Sequence, residues 1–265
     1  MIPLILTLLV VLEPGPAETL QKPVFDYLLS PPIIHLKARP GATVKTEVSI
    51  ENKGANKLPV NIVTANLGMN LQGHATVARD EDSTFSCRSW LRMPSRSFEL
   101  APFGKMVVPI SVTVPYSTSG GRYAIVLAHT QKRSSGKQEI VLAAQMGCII
   151  MLETIGRNKM AAGILEMQIE QRREQTDFSV IVENSGDLHF KVKGSIIVSS
   201  EGGRIIDRIP LNIKTGTILP LHKRLFRASW KNTTKRKPGI YQAVVLMQVP
   251  GVSRSLQMQK IFAID

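Results

Sequence analysis

From Met106 to Pro115 the chain alternates: Met106, Val108, Ile110, Val112 and Val114 fall on one side, with Val107, Pro109, Ser111, Thr113 and Pro115 on the other. A two-residue period with β-branched residues is the signature of a half-buried strand, because successive side chains leave a pleated backbone on opposite faces. The run sits inside a longer stretch, Ser89 to His129, that opens with Trp90 and turns through Gly121-Arg122-Tyr123 into a second apolar run, Ala124 to His129. The same Gly-x-Tyr corner returns as Gly239-Ile240-Tyr241, again just ahead of a strand-like run. A turn that recurs in the same context suggests one β unit used twice.

Other punctuation repeats as well. Asn52-Lys53-Gly54 follows the alternating run Val44 to Ile50, and Asn184-Ser185-Gly186 follows Phe178 to Val182. Val44 to Ile50, this turn and Leu58 to Val63 are expected to form a hairpin, since Asn and Gly tolerate the positive φ that tight turns require. From Asn-x-Gly to Gly-x-Tyr the first unit takes 67 residues (Gly54 to Gly121) and the second 53 (Gly186 to Gly239). The irregular segment Ala65 to Arg88 can hold the excess as a solvated loop. Its acidic run Asp80-Glu81-Asp82 lacks EF-hand spacing. Pro31 and Pro32 suit an edge strand or its entry. Glu139 to Thr154 should be the last strand of the first unit, both faces largely covered, and Gly156 to Gly163 the connection. Helical periodicity is missing throughout.

A Gly-x-Tyr before a strand resembles the tyrosine corner of immunoglobulin-like sandwiches, in which the hydroxyl bonds backbone upstream. Tyr123 and Tyr241 are expected to occupy equivalent positions with that bond. Leu91, Met93 and Pro94 around Trp90 place the indole in a core. The expected architecture is all-β: two tandem immunoglobulin-like sandwiches over residues 25–156 and 161–265, after a signal peptide over residues 1–17.

The leader is read from the apolar run Ile2 to Leu12 and from Gly15 and Ala17 at the positions a signal peptidase inspects. The run is shorter than the roughly 20 residues that cross a bilayer, so no transmembrane segment is expected in the mature chain. An exported chain can oxidise its thiols, which leaves two readings for Cys87 and Cys148: a disulfide or two buried thiols.

The net charge is +13, and residues 157–265 hold +9 of it. Lys223, Arg224, Arg227, Lys231, Lys235, Arg236 and Lys237 lie together with no acid between Leu221 and Pro238. Lys231, Lys235, Arg236 and Lys237 are the candidate contacts to an anionic envelope polymer, against the plainer reading of a solvated loop. Nucleic acid is not expected, for no aromatic platform accompanies the cations. The five histidines are scattered, and no metal-ligand spacing, P-loop or nucleophile elbow occurs. No catalytic residue, cofactor or metal is expected.

Ser30-Pro31, Val48-Ser49-Ile50-Glu51-Asn52, Trp90 ahead of Phe98-Glu99-Leu100-Ala101-Pro102, and Val112-Thr113-Val114-Pro115 followed by Gly121-Arg122-Tyr123 together resemble the pilus-chaperone-like immunoglobulin domain. The version most similar is that of WxL-interacting cell-surface proteins of Gram-positive bacteria, over roughly Ser30 to Thr154. The resemblance implies an exported, non-catalytic binding module for a cell-envelope protein or anionic polymer, with a periplasmic chaperone for surface-fibre subunits, acting by strand addition, as the alternative. Pilus chaperones hold a subunit's C-terminal carboxylate with an Arg on the first strand and a Lys on the last strand of domain one. Here Arg39 falls in a turn and Val141 to Leu152 contains no Lys.

Overall fold

The computed structural model describes residues 26–80, 84–134, 140–212, 216–231 and 237–264. The expected signal peptide lies outside them, as do Glu81, Asp82, Lys235 and Arg236.

Among the described residues ten strands make the first sandwich. They are β1 (Tyr27–Ser30), β2 (Ile33–Ala38), β3 (Thr43–Asn52), β4 (Leu58–Met69), β5 (Ala75–Ala78), β6 (Leu91–Arg92), β7 (Ser97–Leu100), β8 (Lys105–Thr113), β9 (Gly121–Ser134) and β10 (Ile140–Thr154). One sheet runs β1-β3-β8-β6 and the other β2-β10-β9-β4-β5, with β7 beside β4. The first strand divides at the cis Ser30–Pro31 bond: β1 pairs antiparallel with β3 in one sheet, and β2 pairs parallel with β10 in the other. The alternation in Met106–Val114 turns Val108, Ile110 and Val112 into the core, where they meet Val48, Ile50, Ile62, Val126 and Ile150.

The second sandwich repeats this plan with β11 (Ala162–Gln171), β12 (Thr176–Asn184), β13 (Phe190–Lys191), β14 (Lys193–Ser200), β15 (Ile205–Pro210), β16 (Thr217–Ile218), β17 (Lys223–Trp230), β18 (Gly239–Gln248) and β19 (Leu256–Ile264). Its sheets are β11-β12-β17 and β15-β14-β18-β19, with β13 and β16 forming a separate two-stranded pair. In both units the second and fifth strands of the immunoglobulin plan pair in one sheet (β3 with β8, β12 with β17), and the third, sixth and seventh lie together in the other. This is the two-sheet immunoglobulin-like arrangement. Aromatic side chains fill the second core: Trp230 and Tyr241 meet edge to face at 5.6 Å, and Phe262 lies 5.7 Å from Tyr241.

Two local expectations change. The β3–Asn52-Lys53-Gly54–β4 segment is not a hairpin, because β3 pairs with β1 and β8 while β4 pairs with β5, β7 and β9. The turn carries the chain from one sheet to the other, a task the same residues perform equally well. The segment after Ala65 is not a plain loop either. β4 continues to Met69 and turns back into β5, so the extra residues of the first unit begin as a hairpin.

Candidate binding edge and domain junction

The β9–β10 pair is in register from Gly121↔Glu153 to Ser134↔Ile140. On its other side β10 meets β2 only from Ile149 to Thr154. Among the described residues no strand pairs with that side of β10 from Ile140 to Cys148. Ile149 donates its N–H to Pro32 O at 2.9 Å, which fixes the direction of that edge. By the two-residue alternation, the peptide groups of Gly147, Gln145 and Ala143 face the same open side. Ala143, Gln145 and Gly147 are exposed, whereas Ala144 and Met146 pack inward against the first core. The expectation that both faces of this strand are covered therefore fails in its first half. An edge with unspent N–H and C=O groups is a template for another strand.

At the foot of that edge the two sandwiches meet. Tyr123, Ile125 and Leu127 leave β9 on the face opposite the first core and join Leu67, Met151 and Leu219, the last from the second sandwich. The Tyr123 hydroxyl accepts the His189 backbone N–H at 2.9 Å and lies 3.0 Å from His189 Nδ1. Having accepted one hydrogen bond, the hydroxyl donates a second to Nδ1, an arrangement that calls for a neutral histidine with its proton on Nε2. Burial, followed by the nearby His35, pushes His189 down to about 4. Burial also raises the Tyr123 hydroxyl above its ordinary value.

This corrects the tyrosine-corner expectation at one of its two positions. Tyr241 bonds backbone upstream, donating to Lys237 O at 2.8 Å. Tyr123 instead reaches 66 positions along the chain into the other sandwich. Both corners read Gly-x-Tyr, yet Tyr241 lies on the core face of β18 and Tyr123 on the outer face of β9.

Backbone bonds tighten the junction. Gly121 donates to Asp187 O at 2.7 Å, and Asp187 Oδ1 accepts the Lys159 N–H at 2.7 Å. Gly120 has φ +74°, and a Cβ there would run into the Asp187 carbonyl, so glycine is required on both counts. On the opposite flank the β4–β5 hairpin reaches across: Leu225 of β17 donates to Leu71 O at 2.8 Å. Arg224 lies buried beneath Gly73, donates to Thr217 O at 2.6 Å and stacks 5.5 Å from the Phe226 ring centre.

The other residues singled out from the sequence are dispersed. Arg224 is part of the junction and not of a solvated basic patch. Lys231 and Lys237 are exposed at the far end of the second sandwich, where the Lys237 backbone is clasped by Tyr241. In space the basic stretch is not free of acids: the Asp177 carboxyl is held below its ordinary value first by the Ser229 hydroxyl, then by Gln175, Arg172 and Lys231. Asp80 accepts from Asn66 at 2.8 Å and from Arg88 at 2.8 Å. Trp90 packs against the first core as expected but is only partly buried, its outer side covered by the Arg122 guanidinium at 5.9 Å. Cys87 and Cys148 are free, fully buried thiols in the first core. Arg39 lies in the turn, as read from the sequence, but Lys37 sits on the first strand and pairs with Glu153 of the last at 3.0 Å. That pair is invisible in the residues alone, because nothing in them names the partner of β2.

No protein-family model matches the chain, and no curated protein sequence does. Among solved structures it is similar to the YadV chaperone, with 11% identity over 90% of this chain and 100% of that one and a TM-score of 0.43. It is similar to the class 5 fimbriae chaperone CfaA, with 12% identity over 89% and 98% and a TM-score of 0.45. The E. coli chaperone DraB gives 9% identity over 88% and 98%, with a TM-score of 0.42. At such values the immunoglobulin-like assignment rests on the strand registers described above.

Proposed function

We propose that the chain is an exported, non-catalytic protein-binding module of the cell envelope that takes up a strand of its partner along the β10 edge, in the manner of a chaperone for surface-fibre subunits. The observation that carries this is the side of β10 from Ile140 to Cys148 that no strand pairs with among the described residues, directly beside the paired segment Ile149–Thr154. Strand addition obtains affinity from main-chain hydrogen bonds and selectivity from alternate side chains. The inward row Ala144, Met146 and Cys148 would continue under an added strand as part of the same core face. A WxL-interacting surface protein is the same kind of module with a different partner.

The test is Gln145→Pro. Proline is tolerated on an edge strand where the lost N–H faces solvent, so the sandwich should keep its unfolding midpoint while the edge loses a donor and gains a steric block. Wild type and variant are used as bait against native envelope extract, with bound chains identified by mass spectrometry. Recovery of small β-rich subunits by wild type and their loss with the variant supports the reading. Equal recovery by both removes the β10 edge from consideration.

A second reading, contact with an anionic envelope polymer through Lys231, Lys235, Arg236 and Lys237, is favoured by the exposure of Lys231 and Lys237 at the sandwich end remote from the junction. Replacing the four with Gln should abolish envelope binding at low salt if that loop carries it, and change nothing if it is merely solvated.

A further inference from the structure

The second sandwich carries a cleft that the β10 edge does not explain. It lies where β13 and β14 begin and β18 ends, closed by the turn from Val249 to Ser255, and has a volume of about 810 Å³. A shallower extension of about 410 Å³ continues past Gly194 to Ser195, Arg208 and Leu246. This end of the sandwich faces the junction: Lys191 is two residues beyond His189, and Gly251 lies against the linker residue Met160.

The lining is one-sided in charge. Lys191, Lys193 and Arg254 border the main cleft and Arg208 its extension, and no acidic side chain borders either. None of the four cations is in an ion pair among the described residues, where Lys37, Lys53, Lys57, Arg88 and Arg172 all are. Gln248, Ser253 and Ser255 add neutral polar groups at the rim, and the buried Val192 and Val249 form an apolar floor. Like charges held around a concavity raise its potential above that of a flat surface, because the low-dielectric walls focus the field. The apolar floor suits a chain that brings hydrocarbon together with carboxylates better than a bare phosphate.

We propose that this cleft binds an acidic peptide segment, with glutamate or aspartate side chains on Lys191, Lys193 and Arg254 and apolar neighbours over Val192 and Val249. The site is separate from the β10 edge and does not depend on strand addition. Lysine and arginine stems are flexible enough to keep their heads in water, so the empty cleft tolerates its own charge.

The test uses a short capped peptide alternating Glu and Val, its counterpart with Gln for Glu, and inorganic pyrophosphate as the simple anion. Binding is followed by anisotropy and by the backbone amide shifts of Lys193, Gly194, Gln248 and Ser255. The Glu peptide should shift those amides. The Gln peptide, and the variant K191Q/K193Q/R254Q with the Glu peptide, should each bind about tenfold more weakly, as expected from three exposed ion pairs. A control variant, K45Q/K105Q on the first sandwich, should bind as wild type. The proposal fails if the triple variant retains affinity with unchanged folding, if the Glu peptide leaves these amides unmoved, or if pyrophosphate binds there as tightly as the peptide.

Discussion

Asn52 and Asn184 make the same set of hydrogen bonds in the two sandwiches. Each carboxamide oxygen accepts the N–H two residues on, at 3.0 Å from Gly54 and 2.9 Å from Gly186. Each side-chain nitrogen donates to the carbonyl four residues on, Asn56 at 2.7 Å and Leu188 at 2.9 Å. Each then donates a second time to a distant carbonyl, Ala101 or Ile218. Both asparagines are buried, at 2% and 0% exposure, so neither carboxamide has water as a substitute partner. Asn52→Ala and Asn184→Ala should each destabilise by about 2–3 kcal/mol, the cost of leaving buried polar groups unpaired. Urea unfolding would check this, and a cost under about 0.5 kcal/mol at either position would show that the turn does not depend on its carboxamide.

The two corner tyrosines should respond differently to loss of the hydroxyl. Tyr241→Phe removes a local bond to Lys237 and should lower stability by about 1 kcal/mol without changing how the sandwiches are arranged. Tyr123→Phe removes the bonds to His189 and should loosen the junction. Residual dipolar couplings measured on both halves would report it. A changed relative alignment of the halves in Tyr123→Phe alone is the expected result.

His189 makes the fold sensitive to acid. Its folded-state value of about 4 lies below the ordinary 6.5, so the unfolded chain binds the proton more readily. Stability is then fully present above about pH 6.5 and falls as the pH drops from there toward 4, because the unfolded state holds more protons in that window. The shift bounds the effect at about 3 kcal/mol. Unfolding free energies of wild type and His189→Gln between pH 4 and 7.5 should show the variant with the flatter profile.

Burial pushes both Cys87 and Cys148 up to about 12, which leaves almost no thiolate at neutral pH. Iodoacetamide should leave the folded chain unmodified at pH 8 and add two adducts in denaturant without a reductant. Absence of adducts until a reductant is supplied would mean the pair is bridged.

Strands were legible because a pleated backbone imposes its period on the residues, and Met106–Val114 or Phe178–Val182 could be nothing else. What joins them was harder to read. Asn52-Lys53-Gly54 makes the same local turn whether the chain folds back within a sheet or crosses to the other, and only the strand partners of β3 and β4 distinguish the cases. Tyr123 and Tyr241 share a motif but take opposite faces, and the deciding contact, His189, belongs to another domain. Arg224 reads as one cation among seven, although Gly73 covers it from a hairpin whose existence was hidden in weakly patterned sequence. The β10 edge was visible as a strand but not as an edge, because an absent neighbour leaves no mark in the residues.

The hairpin of β4 and β5 belongs to the first sandwich by sequence and rests on the second in space, with Leu71 held by Leu225 and Gly73 seated on Arg224. The boundary drawn through the linker is consequently not a line along which the molecule can be cut. A fragment ending at Thr154 would expose Tyr123, Leu67 and Met151 to water with Leu219 gone, and a fragment beginning at Ala162 would lose the cover over Arg224. Melting of either half withdraws support from the other, so heat should take the chain apart in one step.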